Sequence, residues 1–205
     1  MTLGDDIKEV FSEIGTAVTI YKPAGVVVTG EYIRHKVNSR SSDPFHREFF
    51  IDSELPYDTS IDASNVIAFN QTGQRYIAMT KTPEIFENGI SLFRSVLYKC
   101  NVSGELSRPS GEIVEYAHHT ENVFSLIEDA CYGLLTESNY GNELLRTPDY
   151  GDAEKRQLFL FTPSSNGVQS GDRYTPVSGE NYQVGVVKSR IYENTDVAIL
   201  YEDNR

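Results

Sequence analysis

The chain reads as a mainly β protein: one or two small antiparallel β-barrel or sandwich units, with an N-terminal helix and one central helix. Three observations predict this. Apolar residues recur at helical spacing over only two stretches. Elsewhere, short β-branched and aromatic runs alternate with Gly, Pro, Asn and Asp turns. These runs follow one another too closely for the crossover helices of a parallel βαβ sheet, so neighbouring strands are expected to return antiparallel and close as a barrel or sandwich.

The first helix is expected from Asp5 to Ile14. Ile7, Val10, Phe11 and Ile14 fall at i, i+3, i+4 and i+7, Asp5 and Asp6 sit at its positive start, and Gly15 supplies the stop. The second is expected from about Glu121 to Glu137, with Val123, Phe124, Ile127, Cys131, Leu134 and Leu135 on one face; Gly133 weakens it. Strands are expected at Thr16 to Tyr21 and, after the Pro23-Ala24-Gly25 turn, at Val26 to Ile33. Arg47 to Asp52, Val66 to Phe69, Arg75 to Met79 and Leu92 to Val102 follow, then Gln157 to Thr162, Tyr182 to Ile191 and Asp196 to Tyr201. Three stretches read as loops: Asn38 to Pro44, Asn101 to Gly111, and Ser138 to Arg156, the last long for a compact domain.

This divides the chain into three parts. Residues 1–103 hold the N-terminal helix and a first barrel-like half, 104–156 a linker with the central helix and the long loop, and 157–205 a second β unit packing with the first. The two halves share a pattern, a glycine three residues before a strand tyrosine: Gly73 before Tyr76, and Gly179 before Tyr182. In each half a return strand brings another tyrosine, Tyr98 or Tyr201. The pattern describes a hairpin entered at Gly, a loop and a return strand; G-x-x-Y is common in β proteins, so it leaves open whether the halves are a duplication.

Charge and cysteine narrow the function classes. The net charge is -12 over 205 residues, and it is lopsided: residues 1–100 carry 10 Lys+Arg against 13 Asp+Glu, and residues 101–205 carry 8 against 17. Proteins that grip duplex DNA do so with Lys and Arg that displace counterions, so this balance argues against a DNA-gripping protein. A negative surface beside DNA would repel phosphate and let the duplex slide. No apolar run reaches the roughly 20 residues of a membrane-spanning helix. The N-terminus lacks the basic-then-apolar pattern of a secretory signal, so the cytoplasm in which the chain is made is the expected compartment. Cys100 and Cys131, without metal-ligand spacing, are expected as two free buried thiols.

Enzymatic chemistry finds little footing. His118 and His119 are adjacent, so on a strand they would face opposite ways, unlike the i, i+2 histidines of a cupin metal site. There is no G-x-S-x-G elbow and no glycine-rich phosphate loop. The expectation is no catalytic residue, no metal and no cofactor. Surfaces are the better candidates. The helix residues Ile7, Val10, Phe11 and Ile14, the loop residue Arg40, and Phe45 and Arg47 in the run Phe45-His46-Arg47-Glu48-Phe49-Phe50 are candidate interface positions, because aromatics and Arg are enriched where protein surfaces meet.

The runs Gly30-Glu31-Tyr32, Phe45 to Phe50, Tyr57-Asp58, Phe86-Glu87-Asn88 and Leu97 to Asn101 resemble those of neck proteins of tailed bacteriophages, the head-closure, connector and collar family. So do Leu134 to Glu137 with Tyr140-Gly141-Asn142, and Gly171 to Tyr174, Gly179 to Tyr182 and Asp196 to Tyr201 resemble the small β-barrel of head–tail joining proteins. The resemblance implies a structural virion protein assembled in the host bacterial cytoplasm, a ring of about 6 or 12 copies around the DNA exit channel. Its implied partners are itself, a portal or adaptor ring above, and a tail terminator or tail tube below; DNA passes without sequence-specific binding and no membrane is involved. The chain is about twice as long as the simplest joining proteins, which leaves open a stopper, collar, adaptor-associated or terminator position. The rival readings are another virion component (tail terminator, baseplate or decoration) and a cupin-like small-molecule-binding β domain.

Overall fold

A computed structural model describes residues 3–37, 48–87, 89–116, 119–137, 158–176 and 179–203. The chain divides into two units: Met1–Cys100 with Tyr192–Thr195, and Asn101–Ile191 with Asp196–Arg205. Each is built on a closed antiparallel barrel of six strands. Closure pairs both edges of every barrel strand and so removes the exposed edges that invite uncontrolled association.

In the first unit, helix α1 (Leu3–Ile14) leads into β1 (Thr16–Tyr21), β2 (Val27–Val37), β3 (Phe50–Pro56), β4 (Val66–Phe69), β5 (Arg75–Ala78), β6 (Thr82–Phe86) and β7 (Gly89–Lys99). The order β3-β2-β1-β4-β5-β7 closes through β3–β7 pairing from Phe50↔Tyr98 to Pro56↔Leu92, and β6 follows β5 along the same edge of β7. Alternation places one parity of each strand inside. Val18 and Ile20 of β1, Ile51 and Leu55 of β3, Ile67 and Phe69 of β4, and Leu97 of β7 make the core with Ile33, Ile61, Tyr76 and Ala78. The charged residues between them face out: Arg34 pairs with Glu54 across β2–β3.

The second unit holds β8 (Val102–Tyr116), β9 (His119–Thr136), β10 (Leu158–Pro163), β11 (Arg173–Pro176), β12 (Tyr182–Tyr192) and β13 (Thr195–Glu202), closed in the order β10-β13-β12-β11-β8-β9. Its core gathers Leu106, Cys131, Leu158, Leu160, Val168, Tyr174, Val184, Ala198 and Leu200. The Tyr174 hydroxyl, fully buried, donates to the Cys131 carbonyl at 3.2 Å, so the barrel centre carries no orphaned phenol. Both cysteines are free and buried, as expected.

The N-terminal helix forms. The central helix does not: residues expected as helix 121–137 run as β9, and residues expected as a linker from 104 onward form β8. The reason lies in the register. Pairing of β8 with β9 slips between Gly104↔Cys131 and Leu106↔Glu128, and again between Leu106↔Glu128 and Ser107↔Leu126. Each slip adds a residue to β9 and flips its inside–outside parity. A strand whose alternation is flipped twice shows apolar residues at intervals of three and four, which imitate a helix. Gly133 then decides against the helix. A Cβ there would lie 2.5 Å from Leu160 Cδ1 and 2.7 Å from the Phe161 carbonyl, so glycine is what lets β10 approach β9.

The glycine–tyrosine pattern also resolves. Gly73 and Gly179 both turn hairpins with positive φ (69° and 81°), joining β4 to β5 and β11 to β12. In each barrel the return strand carrying the second tyrosine lies beside the strand carrying the first, giving the local orders β4-β5-β7 and β11-β12-β13.

Candidate interaction interface

Three elements stand outside the barrel walls. Helix α1 packs against β2, β3 and β7. It is held at its start by the Tyr57 hydroxyl donating to Asp5 Oδ1 at 2.8 Å, by an ion pair of Lys8 with Asp58, and by Gly4 lying on the Tyr57 ring. Asp58 raises the Lys8 pKa. At the helix end the Gly15 amide donates to the Phe11 carbonyl at 2.9 Å. Of the four helix positions expected at an interface, Phe11 turns inward and is 3% exposed, which takes it out of any outer surface. Ile7 is half-buried, whereas Val10 and Ile14 are exposed, at 45% and 67%. With exposed Leu3 these three form a stripe at i, i+4, i+7 and i+11 along one line of the helix.

The second element is the β6–β7 hairpin. β3 pairs with β7 only as far as Pro56↔Leu92, but β6 follows β7 to Phe86↔Gly89. The tip is therefore a two-stranded arm that leaves the barrel, with Ile85, Phe86 and Ile90 exposed on it. At its root the Arg94 guanidinium donates to Glu84 at 2.6 Å, and the Ser91 hydroxyl donates to the Glu84 carbonyl. Phe86 and Glu87 of the Phe86-Glu87-Asn88 run stand at this tip. The signal available was an Asn-Gly pair, Asn88-Gly89, between apolar residues.

The third element is the β8–β9 ribbon. β11 pairs with β8 only over Gly104 to Ser107, and β10 pairs with β9 only over Leu134 to Thr136. From Arg108↔Ser125 outward to Tyr116↔His119 the two strands, among the described residues, pair with each other alone. At about 3.3 Å per residue the ribbon extends roughly 25–30 Å. Its root is clamped. Arg108 donates to Asp172 through Nε at 2.8 Å and Nη2 at 2.9 Å, and to the Gly167 carbonyl at 2.8 Å. Arg173 stacks over Phe124 at 3.8 Å while Nε donates to buried Asp203 at 2.8 Å.

The other candidate positions Arg40, Phe45 and Arg47, and the loops 38–44 and 138–156, lie outside the described residues, as does His118. Phe49 and Phe50, beside them in sequence, are half-buried; Phe50 meets Tyr98 edge-on at 4.5 Å. Among the described residues no group of three His, Cys, Asp or Glu is placed to hold a metal ion. No described helix is long and apolar enough to cross a membrane. A cavity of about 320 Å³ lies in the second unit between the starts of β10 and β12 and the end of β13. Glu180, Glu202 and Asp203 give it an acidic lining beside Leu158, Asn181 and Tyr182. The chain matches no family model, no curated protein and no solved structure.

Proposed function

We propose that the protein is a structural subunit of a homo-oligomeric ring in the neck of a tailed bacteriophage, joining the DNA-filled head to the tail. The observation that carries the reading is the β8–β9 ribbon, roughly 25–30 Å of two-stranded sheet that outruns its barrel. A two-stranded ribbon is marginal in water by itself. The edges of such a ribbon gain stability when neighbouring chains cover them, as successive subunits of a ring do. The acidic balance of residues 101–205 fits a channel wall that repels phosphate and lets DNA slide. The resemblance of the turn-and-strand motifs to head-closure and joining proteins supports a location in the neck.

Quantitative mass spectrometry of purified tailed virions tests this. A copy number of about half to one per portal subunit is expected for a ring at the neck. Absence from the virion would discard the structural reading. The acidic cavity favours a second reading, a small-molecule-binding β domain. A stoichiometric ligand or metal carried by the purified chain would select that one.

A further inference from the structure

A two-stranded ribbon meets a partner at a fixed angle only if its root is held, and the β8–β9 ladder by itself does not hold it. We infer that Asp172 and Arg173, consecutive residues entering β11, act as a two-pronged latch that sets the direction of the ribbon before any partner arrives. The inference deepens the ring reading, because it says how the ribbon that carries that reading is aimed.

The pairing of the two strands breaks twice. Between Gly104↔Cys131 and Ser107↔Leu126, β8 advances three residues and β9 five; between Pro109↔Phe124 and Ile113↔Asn122, β8 advances four and β9 two. Two extra residues thus sit on β9 at the barrel side, and two on β8 at the outer side, where Gly111 has a positive φ of 77°. Bulges interrupt the ladder and bend the strand that carries them. Between the breaks lie three regular pairs, Ser107↔Leu126, Arg108↔Ser125 and Pro109↔Phe124. Support from the neighbouring strands also runs out here: β11 reaches β8 as far as Ser107, and β10 meets β9 over Leu134 to Thr136. Backbone pairing among the described residues therefore leaves the ribbon hinged at its root.

The latch closes on this island of regular pairs, one prong to each strand. Asp172 receives the Arg108 fork from β8, and the Arg173 guanidinium lies 3.8 Å over the Phe124 ring of β9. Arg108 and Phe124 belong to adjacent pairs, so the prongs grip both strands at one level. One prong alone would leave the other strand free to pivot. Each prong is itself anchored. The Asp203 carboxylate that receives Arg173 Nε is fully buried. The loop before Asp172 is pinned to the core by Val168 and by Asn166, which donates to Cys131 Sγ at 3.2 Å and Thr162 Oγ1 at 2.8 Å. Arg173 also pairs on both sides, with Ser107 of β8 and Gln183 of β12. A ribbon held this way loses less conformational entropy when it docks than one that swings.

Pulsed electron spin resonance on the full chain tests the latch, with nitroxide labels on Ser189→Cys, an exposed position of β12, and on Glu115→Cys near the ribbon tip. Both native cysteines are buried, so a chain that takes up two labels and no more has a folded barrel. With the latch intact, the distance distribution should be single and narrow. Phe124→Ala removes one prong and strands no charge, since Asp203 keeps Arg173. Arg108→Ser together with Asp172→Asn removes the other prong, and both charges leave together. Each variant should broaden the distribution by roughly twofold or more, whereas Phe124→Tyr, which keeps a ring under the guanidinium, should stay narrow. A broad distribution with the latch intact, a folded prong variant as narrow as wild type, or a Phe124→Tyr chain as broad as Phe124→Ala would each overturn the inference. If the double variant does not fold, Phe124→Ala decides alone. The isolated chain is measured, so a failed latch leaves the neck reading standing, and absence from virions leaves the latch standing.

Discussion

Asp172 is 1% exposed, and three donors meet it at the root of the ribbon: two from Arg108 and the Gln169 amide at 2.8 Å. The bidentate fork holds the loop before β11 against β8. Removing one member of such a pair strands the other in a dry place. Arg108→Ala should therefore cost about 3 kcal/mol, read as a lower urea midpoint, and Asp172→Ala less, because the guanidinium it leaves behind is a third exposed and still donates to the Gly167 carbonyl. His35 makes a pH prediction. Its ring lies 4.9 Å from Phe69, its Nδ1 is 3.2 Å from the Thr16 hydroxyl, and burial lowers its pKa below the ordinary 6.5. The unfolded chain thus takes up a proton that the folded chain resists. Stability from this group is whole above pH 6.5 and is lost as pH falls from there through the lowered folded value. Urea midpoints at about pH 7.5 and 5.5 should differ, and His35→Gln should reduce that difference. The buried thiols give a simpler outcome. Burial raises the Cys131 pKa despite hydrogen bonds from Thr162 and Asn166, so a thiol reagent should find neither Cys131 nor buried Cys100 until the chain unfolds.

Elements differ in what holds them. The ribbon beyond Pro109↔Phe124 adds pairs to β8 and β9 but none to the barrel ladder with β11 or β10. Replacing residues 110–123 by an Asn-Gly turn should leave the melting temperature of the second barrel within a few degrees, since its core is untouched. Gly133→Ala should do the opposite. It changes no exposed surface, but its Cβ collides with Leu160 and the Phe161 carbonyl, and overpacking of that kind costs about 1–3 kcal/mol. The same glycine explains why a helix over 121–137 was a reasonable expectation that the fold refuses: its intrinsic cost to a helix is modest, and only the strand packed against it makes glycine necessary. The first helix was legible because nothing competes with its periodicity. Phe11 and Gly4 face the barrel, and the acidic residues Asp6, Glu9 and Glu13 occupy other faces.

For the whole molecule, the expectation concerns charge rather than packing. If residues 101–205 border the channel, changing several of their exposed acids to Lys should slow DNA ejection from virions, measured as release of genome over time. Ejection kinetics identical to wild type would remove the lining role while leaving the ring's joining role in place. A charged lining would exert its effect most strongly at low ionic strength.

The sequence by itself determined the class of the protein and many of its parts. Thr16–Tyr21 is a β-branched and aromatic run that buries alternate residues, Val66–Phe69 is a short apolar run buried throughout, and both form strands as read. The Gly73 and Gly179 turns, the free buried cysteines and the acidic second half were also open to inspection. The tertiary structure decided what depends on partners distant in the chain. Whether β8 and β9 are strands rests on slips in a pairing between residues 20 to 30 positions apart, and parity flips of that kind leave only a helix-like trace in one strand read alone. Which helix residues face out rests on where β2, β3 and β7 pass beneath them; periodicity grouped Phe11 with Val10 and Ile14, and only the packed barrel separated them. The arm at Ile85–Ile90 exists because β7 outlasts β3, a comparison of two strand lengths that no local pattern contains.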